Sequence, residues 1–298
     1  MDYALQQFAN AVPLSALYAL LAFGYALSFA LTKRADLTYG ALFAFSGHAF
    51  LLGAHAGWNI LFLTFTASLS VGAVLTLLVV LPLGVIIGHR IAAPLSAVSP
   101  NAFTVASLGL LLVLMESARL ASGTQELWLP PFLNQSIAVL PKLRSPVALT
   151  VLQLANTATV LVLLVSAAAF VALSQWGRNW RAVSQDRLAA EMCGVNSQAM
   201  CTQTYALSAL LAGLGGVLAT MHYGTMGFGA GLIFGLKIVL ISAAGGHLHP
   251  WRSAVGAAVF AFGETFWSAF APLAWRDAAL ISLLALLLVM TRQQKPMV

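Results

Sequence analysis

Charged residues are scarce in this sequence. Of its 298 residues only 7% are Asp, Glu, Lys or Arg, whereas 60% are hydrophobic. Soluble domains carry about 25% charged and about 45–50% apolar residues. The composition therefore excludes an ordinary water-soluble domain and indicates a chain that lies in a lipid bilayer.

Cysteines are few and the common catalytic motifs are absent. The two cysteines, Cys193 and Cys201, lie in one polar segment at a spacing that matches no zinc or redox motif. No GxxxxGK[ST] string, HExxH helix or GxSxG elbow is present, and the pair His247 and His249 lacks a third nearby ligand. We therefore expect no enzyme activity, no metal site and no cofactor.

Long apolar runs supply the main structural signal. A helix needs roughly 20 apolar residues to cross a bilayer, because its backbone polar groups must be satisfied within the segment. The sequence contains nine apolar runs, but two of them, 39–54 and 232–244, are short, so the predicted number of membrane spans is eight or nine. The sequence predicts an all-α, polytopic transmembrane bundle that forms one domain over residues 1–298. The spans are predicted at residues 8–31, 39–54, 58–87, 102–120, 147–173, 204–221, 232–244, 253–270 and 278–290.

The basic residues predict the orientation of the bundle. The formal net charge is +6, but Lys and Arg stand singly at the ends of apolar runs and form no stripe with aromatics, so we expect no nucleic-acid partner. Positive residues are retained on the cytoplasmic side. An N-out, C-in arrangement places nine basic residues inside and four outside, with residues 121–146 as an external loop. The inside set is Lys33, Arg34, Arg90, Arg178, Arg181, Arg187, Arg252, Arg292 and Lys295, and the outside set is Arg119, Lys142, Arg144 and Arg276.

The densest run of charge lies in residues 175–203, which this orientation places in the cytoplasm. Apolar Val183, Leu188 and Met192 alternate there with charged residues, a pattern that predicts one or two short helices ending at Gly194. A charged helical loop on the cytoplasmic side is a candidate docking surface.

Glycine is concentrated in the strings LAGLGG and YGTMGFGAGLIFG. The run from Gly224 to Gly231 predicts a helix break, which a membrane tolerates only where the break is buried or lines a cavity. Gly227, Gly229 and Gly231 are therefore candidates for a translocation path or a subunit interface. Tight helix packing followed by an ordinary external turn is the alternative.

Three ionisable residues fall in or beside apolar spans, where each costs about 2.5–3.5 kcal/mol at mid-helix. Arg119 is the expected partner of Glu116, three residues earlier, and Lys237 is expected to extend its amine to the membrane surface. Glu264 is a candidate for the translocation path or a subunit interface, with a structural partner elsewhere in the bundle as the alternative.

Three blocks of the sequence resemble the membrane permease subunits of branched-chain amino acid type ABC importers, the LivH-type class. Residues 14–54 are similar to that family's first two spans, and TVASLGLLLVLMESARLASG at 104–123 is similar to its fourth. Residues 176–219, with WGRNWRAVSQDRLAAEMCGVN followed by a glycine-rich span, resemble its cytoplasmic coupling loop and next helix. The resemblance covers almost the whole chain.

The resemblance implies a function and a set of partners. In such importers a periplasmic protein delivers solute, two permease subunits enclose the path, and two cytoplasmic ATPases drive alternating access. By this likeness the ATPase-coupling role falls on residues 182–194 and the adjacent Arg181, and the protein is a multi-pass component of the bacterial inner membrane. The positions that match the loop pattern are Arg181, Asp186, Glu191 and Gly194.

The sequence leaves the solute open. Departures from the family's usual strings occur at residues 36–40 and 245–250. A branched-chain amino acid is the default solute, and urea or a short amide is the alternative. A stand-alone channel or secondary transporter is the competing hypothesis, although Glu264 is its one candidate coupling site and no internal repeat is evident.

Overall fold

A computed structural model describes residues 2–98, 100–140, 147–245 and 249–292. Within these residues the chain is mainly helical. The long helices are α1 (Asp2–Thr32), α2 (Thr38–Asn59), α3 (Phe65–Ile86), α5 (Pro100–Ala121), α6 (Val151–Leu173), α9 (Ser197–Tyr223), α10 (Ala230–Gly245), α11 (Pro250–Phe270) and α12 (Arg276–Arg292). The shorter ones are α4 (Ala93–Val98), α7 (Gln175–Gln185) and α8 (Arg187–Met192). A π-helical turn, Ile87–Ala92, joins α3 to α4.

Five helical stretches of the described chain are long and apolar enough to cross a membrane. They are Tyr3–Thr32, Phe65–Leu95, Asn101–Ala121, Val151–Leu173 and Ser197–Tyr223. The longest described helix, α1, has 31 residues. At about 1.5 Å per residue it exceeds a hydrocarbon core of about 30 Å. These helices confirm a polytopic bundle, whereas the count of eight or nine spans and the N-out, C-in orientation stay predictions.

The segment between α5 and α6 departs from the all-α prediction. Strands β1 (Ser136–Leu140) and β2 (Val147–Thr150) pair antiparallel, so the predicted span at 147–173 was wrong at its start. The helix begins after Thr150, whose hydroxyl accepts a hydrogen bond from the Gln153 amide at 3.2 Å, while the Gln153 side chain accepts one from the Thr150 amide at 3.0 Å. This reciprocal pair of hydrogen bonds is a capping box, which marks the N-terminus of a helix and therefore ends strand β2 at Thr150.

Two other predicted helix boundaries differ from the observed ones by several residues. The second predicted span ended at 54, but α2 continues through Asn59, and the chain turns at Phe62, which has φ of +51°. No Pro or Gly stands at this turn, so the sequence carried little signal for it. The charged segment predicted at 175–203 also ends earlier than predicted, because α9 begins at Ser197 and not near residue 204.

Helices α1, α2 and α9 form the centre of the bundle. Helix α1 packs mainly on α11 and also on α9 and α6, and α2 packs on α3, α9 and α10. Small residues allow these contacts: a Cβ atom at Gly40 would overlap the backbone of α10, and one at Gly216 would overlap α2. This is the close backbone approach that small residues permit in membrane bundles.

A buried carboxyl group fixes the connection from α1 to α2. Asp36 accepts hydrogen bonds from the Thr38 amide at 2.9 Å, from the Thr38 hydroxyl, and from the Tyr205 hydroxyl of α9 at 2.8 Å. Because buried charge is costly unless it is well hydrogen-bonded, these donors hold the α1–α2 connection against α9.

Candidate functional site

A cavity of about 610 Å³ lies between α1, α9, α10, α11 and the start of α12. Part of its wall is apolar, from Leu14, Phe43, Ile233 and Phe234. Another part is polar and charged and comes from residues of α1, α10, α11 and α12. The charged lining residues are Lys237, Glu264, Arg276 and Asp277.

The charged residues form one cluster at the cavity wall. The Lys237 Nζ lies 2.8 Å from Glu264 Oε1 and 3.0 Å from Asp277 Oδ1. The Tyr18 hydroxyl donates to Glu264 Oε2 at 3.0 Å. Arg276 Nε is 3.6 Å from Glu264 Oε1 and 3.4 Å from Asp277 Oδ1. Two cations and two carboxylates therefore balance each other in one place.

Burial differs sharply within this cluster. The side chains of Lys237 and Glu264 are 5% and 6% exposed, whereas that of Asp277 is 50% exposed. Tyr18 is near the middle of α1, so the buried pair lies at the level of the middle of a membrane-length helix. Buried charges are costly unless they are paired and hydrogen-bonded, and such a pair beside a cavity is a candidate functional site.

The structure places the predicted path residues as follows. Glu264, Gly227 and Gly229 line the cavity, and a Cβ at either glycine would meet no atom within 4 Å. Gly231 lies outside the cavity lining and packs against α2, where a Cβ would come within 3.2 Å of the Ala44 Cβ. The expectation that Lys237 extends its amine to the membrane surface was wrong. Glu264 and Asp277 hold the amine inside the bundle.

The predicted helix break is confirmed. Helix α9 ends at Tyr223 and is followed by Gly224, which has φ of +78°, and α10 begins at Ala230. The Gly224 carbonyl accepts from the Leu129 amide at 2.7 Å, and the Phe228 ring stacks on His48 of α2 with centroids 4.9 Å apart. The break therefore bridges the α5–α6 connection, α2 and the cavity.

Helices α7 and α8 form a hairpin at the end of the bundle where α6 ends and α9 begins. The buried face of α7 consists of Gly177, Trp180 and Val183. The Trp180 indole donates to the Leu27 carbonyl of α1 at 3.2 Å, and Arg181 donates to the Val171 carbonyl of α6 at 3.0 Å. These bonds tie the hairpin to the ends of α1 and α6.

The remaining predicted coupling residues shape the hairpin. Asp186 caps α8 by accepting from the amides of Leu188 and Ala189 at 2.9 and 3.1 Å, as expected of an N-cap aspartate. Glu191 accepts from the Ser197 hydroxyl and from Arg187 at 3.2 Å. These bonds lower the pKa of the Glu191 carboxyl, with the Ser197 bond as the largest cause. Gly194 has φ of +84° and ends the hairpin.

The sequence showed Leu188 and Met192 as apolar residues among charged ones but did not distinguish them from Val183. Leu188 is 70% exposed and Met192 is 88% exposed. They are four residues apart on α8, so they share one face of the helix. Apolar residues interspersed among charges were visible in the sequence, but only the packing of α7 shows that Val183 faces inward while these two face outward.

Free space lies beside the hairpin. A second cavity, of about 570 Å³, separates part of α7 from the first turn of α11. Arg181, Lys33 and Arg252 line it together with the Trp180 and Trp251 rings. The hairpin is therefore bonded to α1 and α6 but is not packed tightly against α11.

Two helices reach from the hairpin to the first cavity. Helix α1 receives Trp180 at Leu27 and carries Tyr18 to Glu264. Helix α9 begins at Ser197, which is bonded to the hairpin residues Arg187 and Glu191, and ends at Tyr223 in the cavity wall. A displacement of the hairpin would therefore act directly on two helices that line the cavity.

Comparison with known proteins gives a consistent relationship. The family model described as branched-chain amino acid transport system / permease component matches residues 7–291. The high-affinity branched-chain amino acid transport system permease proteins LivH of Escherichia coli (strain K12) and LivH of Salmonella typhimurium are each 22% identical to this chain. The permease protein BraD of Pseudomonas aeruginosa is also 22% identical. Each alignment covers 96% of this chain and 93% of the relative.

No solved structure matches the chain significantly. The family match nevertheless extends over nearly every helix described above, from α1 to α12. The chain therefore belongs to the family of permease components of branched-chain amino acid transport systems.

Proposed function

We propose that this protein is the permease subunit of an ABC importer in the bacterial inner membrane, and that it moves a small polar solute with energy from separate ATPase subunits. Its partners would be a second homologous permease, two cytoplasmic ATP-binding subunits and a periplasmic solute-binding protein. The names of the relatives support a branched-chain amino acid as the default solute. Urea or a short amide is the alternative.

The proposal rests on one observation. The α7–α8 hairpin has an exposed apolar face and is bonded to helices that line the cavity of about 610 Å³. Leu188 and Met192 supply that face. Exposed large apolar side chains rimmed by charge favour a protein partner, and buried apolar anchors contribute much of the energy of such contacts. In a permease of this family the fitting partner is the ATPase.

The proposed mechanism is a rigid-body push. ATP-driven motion of the partner would displace α8, and the bonds of Trp180 and Arg181 would pass the displacement to α1 and α6. The bonds between the hairpin and Ser197 would pass it to α9. Rotation of packed helices about an interface is a known way to switch a site between two states, and the two states must differ in solute affinity.

The test is the double variant Leu188→Asp and Met192→Asp in the assembled importer. We expect co-purification of the ATPase subunits and solute-stimulated ATP hydrolysis to fall about 30-fold or more, the loss expected from two interface anchors. Leu133→Asp on the α5–α6 connection is the control, because Leu133 is also an exposed apolar residue but lies outside the predicted spans and outside the hairpin.

Unchanged ATP hydrolysis in the double variant would contradict the proposed contact. Solute transport by the purified chain alone in liposomes, without ATPase subunits, would contradict the importer and favour a stand-alone transporter. The control variant should hydrolyse ATP as the unmodified complex does.

A further inference from the structure

We propose that the cavity of about 610 Å³ is a selective binding site, within the permease itself, for a solute that carries both a carboxylate and an ammonium group. Lys237 and Arg276 would receive the carboxylate, and Asp277 would receive the ammonium group. The inference rests on the proposed transport function. It adds that the permease discriminates among solutes and does not only pass what a binding protein delivers.

Lys237 and Arg276 each have N–H donors that make no hydrogen bond to a described residue. An ammonium group has three protons, and within the described part of the chain Lys237 directs two of them to Glu264 and Asp277. Among the described residues Arg276 pairs through Nε, which leaves its two terminal nitrogens for an added acceptor. An arginine fork of this kind matches the geometry of a carboxylate.

The two carboxylates differ in what they offer a ligand. Glu264 is buried, and its two oxygens are engaged by Lys237 and by Tyr18. It is a positioning residue that holds Lys237 at the wall. Asp277 is half exposed and bonds Lys237 and Arg276 through Oδ1. Its second oxygen is the acceptor we assign to the solute's ammonium group.

The cavity also fits the rest of such a solute. Sites for small molecules measure about 300–1,000 Å³ and combine apolar walls with a few placed polar groups. Here Leu14, Phe43 and Ile233 provide a wall for an aliphatic side chain, and the charged cluster lies in the same cavity. A neutral solute such as urea would leave the spare charged donors unpaired, and a site built for charged groups rejects a ligand that lacks them.

A purely structural ion pair is a weaker explanation. Replacing a buried ion pair by apolar residues of similar size is often neutral for stability, so stability alone gives little reason to keep one. The exposed pair of Glu116 and Arg119 on α5, at 2.5 Å, provides a comparison of similar chemistry away from the cavity.

The experiment measures binding of tritiated L-leucine to the chain in lipid nanodiscs, with any ATPase subunits that co-purify and without a binding protein. Two competitors each lack one charge: 4-methylpentanoate has no ammonium group, and 3-methylbutylamine has no carboxylate. We expect each to compete about 10- to 100-fold more weakly than unlabelled leucine, the loss expected for one charged hydrogen-bonding group.

Two variants then assign the charges. Asp277→Asn should reduce the discrimination against 4-methylpentanoate only, and Arg276→Gln should reduce the discrimination against 3-methylbutylamine only. The double variant Lys237→Met and Glu264→Met should weaken leucine binding about tenfold or more. Glu116→Gln with Arg119→Gln is the control and should bind leucine as the unmodified chain does.

The inference would be overturned by absence of leucine binding to the unmodified chain, by equal competition from either analogue or from urea, or by cavity variants that behave as the control does. When the ATPases co-purify, ATP-driven uptake is measured after the same purified protein is reconstituted into sealed liposomes. Uptake with unselective binding would leave the importer proposal intact and reject this one. Selective binding without ATPase association or ATP-driven uptake would support this site and reject the importer.

Discussion

Lys237 illustrates what a sequence conveys at the scale of one residue. Its partner Glu264 is 27 positions away, and the pair forms only because α10 and α11 pack together. The pair of Glu116 and Arg119, three positions apart on one helix, was predicted and is confirmed. Local partners follow from helix geometry, whereas partners across the bundle require the tertiary packing that one sequence does not show.

The buried pair predicts an asymmetric response to substitution. Lys237→Met leaves Glu264 with less compensation inside the bundle and should lower the free energy of unfolding by about 3–5 kcal/mol. Adding Glu264→Met removes the uncompensated charge and should restore most of that loss. Thermal or denaturant unfolding of the purified protein in detergent measures both. A double variant less stable than the single one would contradict the role assigned to the pair.

At the scale of elements, the sequence predicted the helices better than their connections. The hairpin of α7 and α8 and its end at Gly194 follow from amphipathic spacing and a terminal glycine. The β1–β2 pair was missed, although Thr150 and Gln153 carried a capping-box signal. The turn at Phe62 was missed because it lacks Gly and Pro.

Gly194 supplies a test of the hairpin as an element. Its φ of +84° is strained for most side chains, but no atom lies within 4 Å of an added Cβ. Gly194→Val should therefore lower the stability of the hairpin by about 1–2 kcal/mol through backbone strain alone. We expect reduced solute-stimulated ATP hydrolysis and faster proteolysis between α8 and α9.

Asparagine is the matched control at this position, because it tolerates the left-handed conformation. Gly194→Asn should keep both ATP hydrolysis and protease resistance near those of the unmodified protein. Equal loss in the Val and Asn variants would show that the glycine serves another purpose than the turn.

At the scale of the whole molecule, the candidate functional residues lie in two places, the α7–α8 hairpin and the cavity of about 610 Å³. The candidate coupling residues Arg181, Asp186, Glu191 and Gly194 were predicted through resemblance, and the structure gives each a bond or a backbone geometry within the hairpin. Of the residues that line the cavity, only Glu264, Gly227 and Gly229 were path candidates from the sequence, which did not predict the charged cluster. It combines α1, α10, α11 and α12, and no local pattern brings these helices together.

The account requires the α7–α8 hairpin to face the cytoplasm. Cys193 is exposed at the end of α8, whereas Cys201 is buried in α9, so a membrane-impermeant maleimide should label Cys193 selectively. Gln125→Cys in a Cys193→Ser, Cys201→Ser background places one exposed thiol on the α5–α6 connection as the control for the other side.

The most direct measurement is this labelling on intact cells and on inverted membrane vesicles. The account predicts that Cys193 reacts in inverted vesicles and not in intact cells, and that the thiol introduced by Gln125→Cys shows the opposite pattern. Reaction of Cys193 only from outside the cell would contradict the orientation and, with it, a mechanism in which a cytoplasmic ATPase moves the solute cavity.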